Sequence, residues 1–174
     1  MAELHSFNLK TWIDAHRHLL RPPVGNAQVW QDSEFIVMIV GGPNRRNDYH
    51  VDPGEEFFFQ IEGDMILRVM EENGPRDIAI EEGGVLLLPP LVPHSPQRTA
   101  DTVGMVVERK RREEERDLLR WYCEQCHAPV HEASFHCADI VTQLVPIIEQ
   151  FNADEKLRTC GACGAVLAPP AGEA

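Results

Sequence analysis

The sequence predicts an all-β fold, a sandwich or barrel of short strands, preceded by a helix and followed by a small cysteine-bearing segment. Three observations carry this. Between residues 25 and 108, β-branched and apolar runs recur with Gly or Pro between them, the pattern of a series of strands and turns. No helical pattern of about 10–15 residues separates these runs, which disfavours a parallel α/β sheet. Apolar residues at helical spacing are confined to the two ends of the chain.

Leu9, Trp12, Ile13, His16, Leu19 and Leu20 form the first helical pattern. Asn8 or Ser6 is the candidate N-cap, and Arg21-Pro22-Pro23 the stop. His16 and His18 lie two apart on that helix and point in different directions, so they read as boundary residues rather than a metal pair. Strand patterns then cover residues 35–40, 56–60, 64–70, 77–80, 85–88 and 102–108. Gly41-Gly42-Pro43, Glu62-Gly63, Gly83-Gly84 and Pro89-Pro90 separate them. The charged run 110–116 reads as a solvated connector. It divides the chain into a barrel with its helix, 1–109, and an extension, 110–174. Ile140, Leu144, Ile147, Ile148 and Phe151 give the extension a helix, with Pro146 expected in its first turn or at a kink. The tail after Leu167 is expected to fray.

Composition bounds the function. A chain of 174 residues suits one domain with a small appendage. A net charge of −12 and a pI near 5.0 argue against nucleic acid and anionic membranes as partners. The longest clean apolar run, residues 35–40, is far short of the roughly 20 residues of a membrane span. No basic, apolar leader opens the chain, so a soluble cytoplasmic protein is expected. An anionic substrate would need a local cluster of arginines.

The chemistry concentrates at Asp48-Tyr49-His50-Val51-Asp52-Pro53-Gly54-Glu55-Glu56. His50 and Glu56 would stand about 20 Å apart on a straight strand, at roughly 3.3 Å per residue. One metal ion needs both within about 2.0–2.2 Å, so the chain must fold back, and Pro53-Gly54 suits that reversal. A third candidate ligand, His94, follows the bend Pro89-Pro90-Leu91-Val92-Pro93. Two histidines and one carboxylate match the facial triad of non-haem Fe(II), which leaves positions open for substrate and O₂. A lone His94 or Glu56 would ordinarily be a satisfied polar group; the joint pattern favours metal.

The spacing from His50 to Gly63 follows the first cupin motif, H-x-H-x3-E-x6-G, with Asp52 where a second histidine is usual. Gly83, Pro89, Leu91, His94 and Arg98 follow the second motif, with Leu91 in place of a glycine and Arg98 in place of an asparagine. Both together in an all-β region indicate the cupin double-stranded β-helix, a jelly-roll barrel.

The resemblance narrows further. Gly41-Gly42-Pro43-Asn44-Arg45-Arg46-Asn47-Asp48-Tyr49-His50, Leu20-Arg21-Pro22-Pro23-Val24-Gly25-Asn26, Leu88-Pro89-Pro90, His94-Ser95-Pro96-Gln97-Arg98 and Arg120-Trp121-Tyr122-Cys123 resemble the 3-hydroxyanthranilate 3,4-dioxygenases. The likeness covers most of the chain, from Leu9 to Cys163. It implies Fe(II) held by His50, Glu56 and His94, with 3-hydroxyanthranilate and O₂ as substrates. It implies that Arg46 and Arg98 bind the substrate carboxylate, that Glu56 and Glu108 border its amino and hydroxyl groups, and that Asn26 lies in the pocket loop. Glu108 becomes the acid–base candidate, and a homodimer is expected. Arginine suits a carboxylate because its fork makes two parallel hydrogen bonds. Arg45 competes with Arg46, and only the family register selects Arg46. The same chemistry serves tryptophan catabolism towards quinolinate and NAD, or degradation of aromatic compounds.

Cys123, Cys126, Cys160 and Cys163 form two C-x-x-C pairs, and Cys137 is left over. Without a secretory signal such pairs read as a closed tetrahedral metal site before disulfides. A structural Fe or Zn ion is expected there, with His127, His131, His136 and Cys137 as spectators. The resemblance supports a rubredoxin-like site not needed for ring cleavage. Two other readings stand beside the enzyme: a non-catalytic ligand-binding cupin, and an electron carrier built on the cysteine site.

Overall fold

The computed structural model describes residues 5–21, 25–44 and 46–170, with the side chain of Val141 excluded. The first helix, α1 (Leu9–His16), starts at Asn8, whose side chain accepts the Thr11 N–H, and ends in a single 3₁₀ turn, Arg17–Leu19. The expected stop at Pro22-Pro23 lies outside the described residues. His16 stacks on Trp12 and accompanies His18 at the helix boundary.

Among the described residues eleven strands follow: β1 (Asn26–Gln28), β2 (Phe35–Gly41), β3 (Asp48–Val51), β4 (Glu56–Glu62), β5 (Met65–Glu71), β6 (Gly74–Ile80), β7 (Val85–Leu88), β8 (His94–Arg98), β9 (Val103–Arg109), β10 (Asp117–Tyr122) and β11 (Pro129–Phe135). They form two antiparallel sheets, in the orders β1-β2-β9-β4-β7 and β11-β10-β3-β8-β5-β6. This is the expected all-β architecture. Side chains alternate across a strand, so the inward rows of both sheets interleave. Ile36 and Met38 of β2, Phe58 of β4, Met65, Leu67 and Val69 of β5, and Val106 of β9 fill the interior. Burying one such side chain is worth roughly 1.5–3 kcal/mol.

The outer face of the five-stranded sheet is covered in part by α1. Ile13 and Leu20 pack there on Ala27, Ile39 and Val103. The approach is close enough that a Cβ on Gly41 would lie 2.0 Å from the Leu20 carbonyl oxygen.

After residue 109 the chain does not leave the barrel. β10 pairs with β3, and β11 with β10, inside the six-stranded sheet. Leu119 and Trp121 of β10 then anchor α2 (Ile140–Ala153) through Leu144 and Phe151. Pro146 sits inside α2 rather than in its first turn. A short helix, α3 (Glu155–Arg158), leads to the last cysteine pair.

Candidate functional site

The turn at Pro53-Gly54 does more than reverse the chain. It carries the backbone from β3 in one sheet to β4 in the other. His50 lies directly opposite His94 on neighbouring strands, and Glu56 faces both from across the barrel. All three are buried. Glu56 Oε1 stands 3.0 Å from His94 Nε2 and 3.6 Å from His50 Nδ1, yet accepts no aligned hydrogen bond. Right-angled ligands at about 2.1 Å from one ion lie about 3.0 Å apart, so the donor set fits a facial metal site.

The outer ring nitrogens support the same reading. His50 Nε2 lies 2.7 Å from Asp117 Oδ2, and His94 Nδ1 lies 3.0 Å from the Val92 carbonyl oxygen. Both partners accept hydrogen bonds, so each outer nitrogen carries the proton. The inner nitrogens are left with lone pairs aimed at Glu56, the usual support for a metal-bound imidazole. Burial works to raise Glu56, but His94, His50 and Arg111 outweigh it and hold the carboxylate at about 2. Burial alone would lower His94; the nearby charge of Glu56 raises it instead.

Arg98 lies two inward positions along β8 from His94, on the face shared with Met65, Leu67 and Val69 of β5. Its guanidinium is buried, and Nη1 donates to Gln60 Oε1 at 2.8 Å. Among the described residues no carboxylate forms an ion pair with it, and Nε has no partner. Burial pushes it down to about 10. Gly104 makes room for it, because a Cβ there would lie 2.7 Å from Nη1 and Nη2. Asn26 pairs with Val40 at the same level of the sheet, and its buried Oδ1 also lacks a partner.

Arg46 is placed differently. It is paired with the buried Asp48, through Nε to Oδ1 at 3.0 Å and through a second, shorter contact. Glu56 still contributes to raising it, so its charge is felt at the triad. Arg45 lies outside the described residues.

Glu108 of β9 is buried beside Glu56, and the Asp52, Glu56 and Glu108 carboxyls lie within 4.8 Å of one another. Burial, then the charge on Glu56, push Glu108 well above the ordinary carboxyl range. Its Oε1 has no hydrogen-bond partner.

The profile of the 3-hydroxyanthranilic acid dioxygenase family matches residues 1–152. The chain belongs to this family of dioxygenases. It is 51% identical to the 3-hydroxyanthranilate 3,4-dioxygenase of Jannaschia sp. over 95% of this chain and 93% of that one. It is 54% identical to the enzyme of that name from Xanthomonas euvesicatoria, over 90% and 89%. A crystal structure of a cupin-2 domain containing protein from Shewanella frigidimarina superposes with a TM-score of 0.47 at 14% identity, covering 59% of this chain and 100% of that one.

Within this dioxygenase two motif departures acquire physical content. Leu91, where the cupin motif has glycine, has φ +64°, a left-handed conformation that costs a non-glycine residue about 1 kcal/mol or more. Its N–H donates to the Asp52 carbonyl at 2.8 Å, which ties the bend before His94 to the turn after His50. Asp52, where a second histidine is usual, does not face the two imidazoles. Its Oδ1 accepts the Gly54 N–H at 2.6 Å and its Oδ2 lies 2.8 Å from Arg111 Nη2.

Arg111 and Asp117 are the residues that sequence reasoning missed. Arg111 sits in the run read as a solvated connector, yet its side chain is 1% exposed and contacts Asp52, Glu108 and Asp117. Arg111 lies three residues past Glu108 and beyond the end of β9 at Arg109, so no strand spacing marked it.

The four cysteines cluster as expected, with Sγ–Sγ separations of 3.5 Å for Cys123–Cys163 and 3.7 Å for Cys126–Cys160. Four sulfurs at about 2.3 Å from a central ion would be about 3.8 Å apart, so the set fits a tetrahedral metal. The two pairs make matching knuckles. In each, the first cysteine N–H bonds the carbonyl five residues on, and the residue four on, His127 or Gly164, has positive φ. His131 instead stacks on Phe151, and His136 contacts the Glu115 carbonyl. Cys137 is buried apart from the four, its thiol pushed up to about 12 by burial.

Proposed function

We propose that this chain opens the ring of 3-hydroxyanthranilate with O₂, giving 2-amino-3-carboxymuconate semialdehyde, the precursor of quinolinate. The observation that carries the reading is Arg98, a buried cation without an anion among the described residues, on the strand face that carries His94. A buried charge is retained at a cost unless something pairs with it, and an aromatic carboxylate is a suitable partner.

His50, Glu56 and His94 are the proposed holders of Fe(II). Ferrous iron there supplies the redox coupling between an electron-rich ring and O₂. Arg98 takes the carboxylate through its fork and thereby fixes the ring orientation. Arg46 adds positive potential; binding substrate directly would require it to share its charge with Asp48. Asn26, at the level of Arg98, offers its unpaired amide oxygen as a further polar contact. Burial and the nearby Glu56 favour the protonated form of Glu108, which suits it to exchange a proton with the substrate hydroxyl or amino group. Interior side chains such as Phe58 and Val106 exclude water.

The cysteine site is proposed as structural, holding Fe or Zn, because four thiolates close the shell. A homodimer is part of the reading. The outer rows Leu87-Phe57-Val107-Val37 and Val85-Phe59-Met105 form an apolar, uncharged face, with Leu87 58% and Val85 61% exposed. Such a face suits a self-complementary contact. Among the described residues no helix is long and apolar enough to cross a membrane.

The test is anaerobic reconstitution with Fe(II), addition of 3-hydroxyanthranilate and admission of O₂. Stoichiometric O₂ uptake with a new semialdehyde absorbance band is expected. Binding of the aromatic acid without O₂ uptake would favour the non-catalytic cupin instead.

A further inference from the structure

We infer that Arg111 is a positioning residue for the metal centre, acting on His50 through Asp117 and bracing Asp52 and Glu108 from the same guanidinium. The proposal rests on the reading of His50, Glu56 and His94 as metal ligands. Its basis is a chain of contacts. Asp117 is 0% exposed, and its Oδ2 lies 2.7 Å from His50 Nε2. The same carboxylate is gripped by Arg111, with Nε 2.8 Å from Oδ1 and Nη2 2.6 Å from Oδ2. Nη2 also reaches Asp52 Oδ2 at 2.8 Å and Glu108 Oε2 at 3.3 Å, while Nη1 donates to the Arg109 carbonyl at 2.9 Å.

This one side chain therefore joins the end of β9, in one sheet, to the turn after β3 and the start of β10, which pair in the other. An imidazole ligand needs its outer N–H fixed to keep its inner lone pair on the metal. Asp117 supplies that acceptor, and Arg111 fixes where Asp117 can be. A lysine could keep the charge, but a point ammonium on a flexible stem cannot span three carboxylates in the planar geometry of the fork. The departure of Asp52 from the cupin motif belongs to the same device. A carboxylate at that position anchors the guanidinium instead of adding a further imidazole to the metal.

The test is Fe(II) affinity, measured anaerobically by competition with a chelator, in the full chain with its cysteine site filled. Arg111→Lys is expected to weaken Fe(II) binding about 10–100-fold, the range for loss of an outer-shell partner, and to alter the absorption bands of a Co(II)-substituted centre. Metal at the cysteine site should stay unchanged. Asp117→Asn keeps the shape and an acceptor while removing the charge that Arg111 grips, and should give a smaller loss in the same direction. It serves as the second variant if Arg111→Lys does not fold. Unchanged affinity and unchanged Co(II) bands in a folded variant would overturn the proposal and leave the function reading intact. Absence of Fe(II) binding at His50, Glu56 and His94 in the parent chain would overturn both.

Discussion

Arg98→Met removes a buried charge that no carboxylate compensates among the described residues, while keeping most of the side-chain volume. Burial lowers the guanidinium from 12.5 to about 10. At about 1.4 kcal/mol for each tenfold change in acidity, holding the charge at neutral pH costs about 3 kcal/mol. The hydrogen bond to Gln60 Oε1 offsets about 1 kcal/mol of that. The ligand-free variant should therefore be more stable by about 2 kcal/mol, a rise in Tm of about 4–8 °C for a chain of this size. Substrate binding should move the other way. Two charge-assisted hydrogen bonds at about 1.5–3 kcal/mol each would be lost, so kcat/KM for 3-hydroxyanthranilate should fall about 100-fold or more. The assay pairs differential scanning calorimetry with initial rates of O₂ uptake. A folding residue gives the opposite pair: a lower Tm with kcat/KM unchanged, and that result would refute the reasoning.

Glu108→Gln tests the proton. Burial and the neighbouring Glu56 raise Glu108, so its contribution to stability is complete below about 4.5, its unfolded value, and is lost as pH rises through the folded value. In metal-free protein the glutamine variant should lose less stability than the parent as pH rises above about 4.5, read from urea midpoints, and its kcat should fall about 10²–10⁴-fold. Parallel pH profiles would contradict the raised carboxyl. Cys123→Ser should empty the cysteine site and lower Tm while leaving kcat unchanged. A kcat that falls in proportion to cysteine-site metal would instead favour the electron-carrier reading.

The sequence made some parts of this molecule legible and hid others for physical reasons. β2, β4, β5 and β7 were visible because their runs are rich in apolar residues, and β2, β4 and β7 end at Gly or Pro. β3 and β8 were visible only as motif stretches, because Asp48, His50, His94 and Arg98 are polar yet buried, and polar residues do not mark a strand. β10 and β11 follow a charged run that looked like a boundary, although their pairing continues the barrel sheet. His50, Glu56 and His94 could be assembled from spacing, since a metal needs converging donors. Arg111 could not, because its burial depends on three carboxylates, on β9, β10 and the turn after β3, that only the folded chain brings together.

The central claim concerns ring opening by incorporation of dioxygen at the His50, Glu56 and His94 site. Its most direct measurement is the mass of the product formed by the Fe(II)-loaded chain from 3-hydroxyanthranilate under isotopically heavy O₂. The account predicts a semialdehyde carrying both heavy oxygen atoms in the parent chain, and no such product from Glu56→Ala. A product carrying only one heavy atom, or the same labelled product from Glu56→Ala, would contradict it.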